Sequence, residues 1–525
     1  MSAGAIAAPA PARAEINPWI VAISVMFSTF MEVLDTTVVN VSLPHIAGDL
    51  SASIDEATWA LTSYLVANAI ILPLTGWLAN YFGRKRLLMM SVTGFTLASF
   101  FCGFAPSLPV LILFRIIQGA AGGALQPLSQ AILLEAFPPH MRGKAMGFWG
   151  LGIVTAPILG PVLGGWLTDS YSWRWVFYIN IPVGIASLLM TRAFVFDPAY
   201  IKRMSQKVDY WGIGMLTLGI AALQILLDKG QQDDWFESRW IVSLLIVSVV
   251  ALVSFVIWEL RVHAPVVDLR VFKNRTYATG TFLMTVLGFV LYGSLVLLPV
   301  WLQTLLGYSS LQAGIALAPR GMGSFLAMPL IGALLAKADA RKFLAGGLLV
   351  AGGTLLAFSQ LSMTAGYWDF FWPQFIQGIS LGLLFVPLTT ITMGLIPREQ
   401  MGNATSIFNL LRNLGGSIGI AITTTLVSRY QQVHINVLGA HVTAFDPKAR
   451  AMMGGIAHGF VQKGMPAAQA TKQGYAAMFG MVQQQAAILA FLDVFRLLGV
   501  IFLLMVPLVL LMKRPAKAPG SMGAH

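Results

Sequence analysis

The stretch Leu111–Pro127, LILFRIIQGAAGGALQP, carries a single arginine, Arg115, in an otherwise apolar run. At helical spacing Arg115, Gln118, Gly119, Gly122, Gln126 and Ser129 share one face, while leucine, isoleucine and phenylalanine cover the rest. A guanidinium in hydrocarbon costs several kcal/mol unless water or a counter-charge meets it, so this face is turned away from lipid and a partner is to be sought.

The composition says which solvent surrounds that face. Of 525 residues 57% are hydrophobic and 10% charged, with a mean hydropathy of +0.75. These values predict an all-α polytopic membrane protein and exclude an ordinary soluble enzyme. The one cysteine, Cys102, excludes an intrachain disulfide and a cysteine-based metal cluster. Residues 1–18 read as an Ala/Pro-rich tail, and the run from Trp19 holds Glu32 and Asp35 with no small-residue cleavage site. An uncleaved first helix is expected there, not a signal peptide.

Fourteen apolar runs are long enough to cross ~30 Å of hydrocarbon. They lie at 19–43, 57–81, 87–105, 109–135, 145–168, 174–196, 211–228, 239–260, 277–303, 311–336, 343–363, 370–395, 403–428 and 490–512. Turns after even-numbered helices hold Arg84, Lys85, Arg86, Arg142, Lys144, Lys202, Arg203, Lys207, Arg270, Lys273, Arg275, Lys337, Arg341, Lys342 and Arg398. The other turns are acidic, with Asp49, Asp55, Glu56, Asp233, Asp234 and Glu237. Basic loops stay in the cytoplasm, which predicts that both termini are cytoplasmic. Topology thereby accounts for most of the net charge of +12, and no nucleic acid is expected as a partner.

The Arg115 stretch has a later echo. Gln118-Gly119 recurs as Gln377-Gly378, Gly123 as Gly382, Pro138 as Pro397 and Gly143 as Gly402, while Pro73–Leu88 aligns with Pro329–Leu344. Helices 1–6 and 9–14 are therefore two like-oriented halves, and helices 7 and 8 are an inserted pair. The division is a tail 1–18, a first bundle 19–200, the inserted pair 201–275, a second bundle 276–512 and a tail 513–525. Parallel repeats of this size characterise transporters that rock two bundles about a central site. Arg115 becomes Gln374 in the echo, so the repeated scaffold does not keep the charge. Between helices 13 and 14, residues 430–489 read as a long outward loop with a near-helical apolar pattern at Met452, Met453, Ile456, Phe460 and Val461. It is either a solvated loop or a docking surface.

Several stretches resemble one family. LDTTVVNVSLP (Leu34–Pro44), GWLANYFGRKRLL (Gly76–Leu88), LILFRIIQG (Leu111–Gly119), GIVTAPILGPVLGG (Gly152–Gly165) and WRWVFYINIPVG (Trp173–Gly184) resemble the fourteen-helix drug:proton antiporters of the major facilitator superfamily, EmrB/QacA group. The resemblance implies a proton-coupled exporter of small hydrophobic or amphipathic compounds, working by alternating access. It further implies a bacterial inner-membrane pump with a periplasmic adaptor and an outer-membrane channel, powered by the proton gradient with no cofactor and no metal.

The residues carry their own readings beside that. Glu32 and Asp35 share a face of helix 1, and buried carboxylates can be tuned to load and release a proton. Asp35 matches the family's membrane acid, and Arg115 is its natural counter-charge or else a structural arginine on backbone carbonyls. Gly152, Ala156, Gly160 and Gly164 repeat every fourth residue, next to Gly165, and form a flat packing stripe, with Pro157 and Pro161 removing two backbone donors. By resemblance this is the antiporter motif, expected between the halves. Gly76, Asn80, Gly83 and Arg84 match a gating motif whose usual acid is Asn80 here, so a hydrogen-bonded latch, or a simple positive-inside anchor, is expected in place of a charge pair. Gln118, Gln126, Arg320, Asn409, Arg412 and Asn413 are the candidate cavity residues, facing a polar or anionic substrate group or only water. A specific metabolite carrier is the alternative on the same fold. A membrane enzyme finds no nucleotide loop, no HExxH and no ligand cluster in the sequence, and a channel would need a persistent pore lining.

Overall fold

Inside hydrocarbon each backbone polar group must be satisfied within its own segment, which makes helices of apolar runs of this length. The computed structural model describes residues 17–197, 208–335, 338–362, 364–443 and 445–512. Among them fourteen helices can cross a membrane: α1 (Pro18–Asp49), α2 (Asp55–Phe82), α3 (Arg84–Gly103), α4 (Leu108–Ala136), α5 (Pro139–Ser170), α6 (Trp175–Phe194), α7 (Tyr210–Lys229), α8 (Arg239–Arg261), α9 (Arg275–Thr304), α10 (Gln312–Leu334), α11 (Ala340–Phe358), α12 (Tyr367–Gly394), α13 (Arg398–His441) and α14 (Ala467–Leu511). The expected tail 513–525, most of the tail 1–18, and Lys202, Arg203, Lys207 and Lys337 lie outside the described residues.

Local chemistry starts several of these helices. Asn17, Asp209, Asn274 and Asp339 each accept a hydrogen bond from the backbone of the first turn, and Ser309 with Gln312 forms a capping box. The backbone of α4 is interrupted between Gly122 and Leu125, so it is two helical pieces on one path. The second piece is enclosed on all sides, from Leu125 to Leu134.

The sequence echo has a spatial counterpart. Gly119 of α4 lies on the Tyr64 carbonyl of α2, and Gly378 of α12 lies on the Arg320 carbonyl of α10. A Cβ at either place would overlap that oxygen, so the repeated glycine does the same work in both halves.

The halves meet toward the end that carries the basic turns. Gly76 of α2 abuts the Asn403 backbone of α13, and Gly143 of α5 abuts the Gly332 carbonyl of α10. Asn403 is itself pinned by two hydrogen bonds to the Asp268 backbone, at 3.0 and 2.9 Å. The inserted α7 covers the seam between α2 and α13: Gln224 donates to Ser417 at 3.0 Å, and Thr62 donates to Asp228. Ser248 ties α8 to α7 through the Gly219 carbonyl, leaving Ile246, Val249, Val250 and Val253 exposed for lipid.

The stretch 430–489 differs from the expected loop. α13 runs on to His441, a further helix spans Pro447–Gln462, and α14 begins at Ala467. At 1.5 Å per residue α13 is about 65 Å long, roughly twice the hydrocarbon thickness. These helices therefore project as a hairpin, capped by Pro447–Gln462, beyond the end opposite the basic turns. The sequence pattern here lacked a clean apolar face because much of each extension is solvated.

Substitution tests the glycine contacts. Gly119→Ala or Gly378→Ala should each destabilise the detergent-solubilised protein by about 1–3 kcal/mol, seen as a lowered Tm. Gly346→Ala, with open space around its Cβ position, should leave the Tm unchanged.

Candidate functional site

Arg115 and Asp35 meet. Nη1 of Arg115 is 2.6 Å from Oδ2 of Asp35, and both side chains are wholly buried. Around this pair the polar atoms are distributed by donor and acceptor type. Arg115 donates through Nε to the Ala60 carbonyl (3.0 Å) and through Nη1 to Oε1 of Gln118 (2.8 Å). Asp35 Oδ1 accepts from Gln118 (2.9 Å) and from Asn180 of α6 (2.7 Å). The Tyr64 ring covers the guanidinium with its centroid at 4.1 Å, a cation–π contact out of water. Arg115 thus has both kinds of contact, a carboxylate on Nη1 and a backbone carbonyl on Nε.

Glu32 occupies a separate polar site a little under one turn away on α1. Its Oε1 accepts from Asn68 of α2 at 3.0 Å and its Oε2 from Gln126 of α4 at 2.5 Å. The other end of the Gln126 amide accepts from Arg412 of α13, in the second half. Nearby, Asn409 donates to Gln130 at 2.6 Å and Thr405 to the Pro127 carbonyl at 3.1 Å. Asn413 lies beside Arg412 and accepts from it at 3.2 Å.

Two of the candidate cavity residues are elsewhere. Gln118 belongs to the Asp35 cluster inside the first bundle, because its amide is consumed by the ion pair. Arg320 is buried within the second bundle, 3.5 Å from Ser294. Gln126, Asn409, Arg412 and Asn413 are the four at the junction of the halves, where Arg412 also borders a small apolar cavity with Ile153, Leu287, Leu291 and Phe385.

The helix-5 stripe needs a correction of place. Gly152, Gly160 and Gly164 lie against Met26, Thr37 and Val38 of α1, the Ala156 carbonyl accepts from Thr37, and the nearest neighbour of Gly165 is Val41. The stripe therefore fastens α5 to α1 inside the first bundle. The contact with the second half is made by another face, through Gly143, Gly147 and Gly150. Spacing marks a stripe of small residues but does not say which neighbour it receives. Pro157 and Pro161 sit within an unbroken α5.

The gating turn is also fastened differently from a latch at Asn80, which is only half-buried at the end of α2. Gly83 adopts φ +89°, a left-handed conformation that suits glycine. Arg84 is buried and pairs with Glu135 at the end of α4, while Asp197 accepts from the Lys85 backbone at 2.8 Å. Both fastenings are within the first half. Asn68, Asn180, Gln130, Glu135 and Asp197 were not singled out by the sequence reading. The signal for Asn68 and Asn180 was present, as a lone amide in an apolar run.

Deleting one member of the pair strands the other in hydrocarbon. Arg115→Met should destabilise the protein by about 3–5 kcal/mol. The double variant Arg115→Met/Asp35→Asn should recover part of that loss in a detergent Tm series. Additive losses would contradict the pairing.

Comparison with known proteins follows the same outline. A family model described as Major Facilitator Superfamily matches residues 25–420. The chain is 38% identical to the multidrug export protein EmrB of Escherichia coli strain K12 over 520 residues, covering 96% of this chain and 98% of that protein. It is 42% identical to EmrB of Haemophilus influenzae over 81% of this chain and 83% of the relative. It is 38% identical to the fatty acid resistance protein FarB of Neisseria gonorrhoeae over 98% and 99%. Among solved structures, the human organic anion transporter MFSD10 superposes with a TM-score of 0.57 at 14% identity, covering 92% of this chain and 99% of that one. The proton:xylose symporter XylE superposes at 0.56 and 16% identity, covering 80% and 90%. Such low identities speak for the fold alone, but together with the long, much closer matches to the EmrB proteins they show that this chain belongs to the major facilitator superfamily, as a multi-pass membrane transporter of the EmrB multidrug-export type.

Proposed function

We propose that the chain is a proton-coupled exporter of hydrophobic or amphipathic compounds, working by alternating access of its two bundles. The observation that carries this is the Asp35–Arg115 pair, a fully buried carboxylate and guanidinium in the middle of membrane helices. A charge pair held there at such cost is usually retained for function. Asp35 loads a proton when Arg115 is drawn away, and releases it when the two approach again. The relatives named for multidrug export and for fatty acid resistance support the substrate class.

The basic turns after α2, α4, α8, α10 and α12 support cytoplasmic termini in a bacterial inner membrane. On that reading the α13–α14 hairpin stands in the periplasm. Its exposed Tyr475, Phe479 and Met452 support docking of a periplasmic adaptor, which would connect the pump to an outer-membrane channel.

In liposomes with an imposed pH gradient, the protein should accumulate a fluorescent amphipathic dye against its gradient. Asp35→Asn, assayed at a temperature where its lowered Tm still leaves it folded, should fall to the rate of empty liposomes. Dye movement in Asp35→Asn that still follows the pH gradient would reject the assignment. Deleting 447–462 should leave liposome transport intact and abolish adaptor cross-linking in cells; a cross-link that survives would remove the docking role.

A further inference from the structure

The two carboxylates of α1 are wired to different bodies. Every hydrogen-bonding partner of Asp35 (Arg115, Gln118 and Asn180) lies in the first bundle. Glu32 reaches the second bundle through one side chain, since Gln126 donates to Glu32 and accepts from Arg412. We propose that Glu32, Gln126 and Arg412 form a proton-sensitive latch between the bundles, in which ionised Glu32 holds the basic end closed and protonated Glu32 releases it. This rests on the proton-driven export proposed above and assigns Gln126 and Arg412 as positioning residues, not as contacts of the substrate.

Hydrogen-bond chemistry sets the direction. Arg412 only donates and an ionised carboxylate only accepts. The Gln126 amide therefore satisfies both in one orientation, with its nitrogen toward Glu32 and its oxygen toward Arg412. Both oxygens of Glu32 face N–H donors, from Asn68 and from Gln126. A proton on either oxygen makes that oxygen a donor and a poorer acceptor, so the bond it receives from Asn68 or Gln126 is weakened. The same proton removes the negative charge that faces Arg412. Arg412 is buried and takes part in no ion pair among the described residues, its hydrogen-bonded Nη2 being held by the neutral oxygens of Gln126 and Asn413. Losing Glu32 as a through-amide counter-charge thus weakens the seam at its central rung.

The rung lies on the closed part of the interface. Along α4 and α13 it is followed toward the basic end by Asn409–Gln130 and Thr405–Pro127, and then by Gly76 against Asn403. The other charged and titratable groups near Glu32 are Asp35 on its own helix, Tyr64 from α2 and, through Asp35, Arg115 from α4. α5 and α6 carry their charged residues, Arg142, Lys144, Asp169 and Arg192, near their ends. A proton arriving from the acidic-turn side would therefore open the opposite, basic side, which is the order that proton:substrate exchange requires.

Distance measurement tests this without a substrate. Spin labels at Tyr81→Cys and Glu399→Cys, both exposed at the basic end, are placed on a Cys102→Ser background in nanodiscs. The parent should show a short separation at pH 8 that shifts to a longer population as pH falls. Glu32→Gln should be long at both pH values. Gln126→Met and Arg412→Met should also be long and insensitive to pH, and Arg412→Lys should restore the short, pH-responsive population. Asp35→Asn should keep the short population at pH 8 and its lengthening as pH falls, since the hydrogen-bonding partners of Asp35 do not cross the seam. A short, parent-like population in Glu32→Gln or Gln126→Met, or an equal opening in Asp35→Asn, would overturn the latch. Absence of proton-coupled transport with this pattern intact would instead count against the export reading alone.

Discussion

A bare cation in hydrocarbon is the constraint from which the first bundle is built. Arg115 is tolerable in α4 because Asp35 of α1 lies 2.6 Å away and amides, a carbonyl and an aromatic face surround the pair. That requirement brings α1, α2, α4 and α6 to one point, with α3 joined through the Ser99 hydroxyl, which accepts from Asn180 at 3.0 Å. The glycine at 119 is the complement: at that position the backbone of α4 comes against the Tyr64 carbonyl of α2, where a Cβ would overlap it.

The second bundle repeats the scaffold without repeating the charge pair. Gly378 takes the place of Gly119, but Gln374 stands where Arg115 would, and the buried arginines of this half, Arg320 and Arg412, belong to α10 and α13. A common framework of close helix contacts thus carries different electrostatics in each half. On the proposed export reading, proton chemistry is confined to one bundle while the close helix contacts are shared by both. The inserted α7 reinforces this asymmetry, since it lies over the α2–α13 seam.

Between the close glycine contacts of the two bundles, the junction also carries a polar stretch. Gln126, Gln130, Asn409 and Arg412 join through amides and a guanidinium, groups that can exchange partners without leaving charge exposed to lipid. Interfaces of that kind suit bodies that separate and rejoin, since each group has an alternative partner in water when the seam opens.

The sequence alone determined the solvent, the fourteen spans and the two-fold repeat, because hydropathy over a span and glycine at a fixed spacing are local properties. It also determined that Asp35 and Arg115 needed partners, since charge in hydrocarbon is costly wherever it falls in a helix. It left open which helix receives a face. The α5 stripe was legible as a packing surface, but whether it met α1 or α10 depended on the rotation of α5 about its axis. Asn68 and Asn180 were visible as single amides and became ligands of Glu32 and Asp35 only when α2 and α6 converged on α1. The division of the two carboxylates between bundles was likewise set by tertiary structure. Three residues on one helix turn the two acids toward different neighbours, and only the packing of α13 against α4 gives one of them a route across the seam.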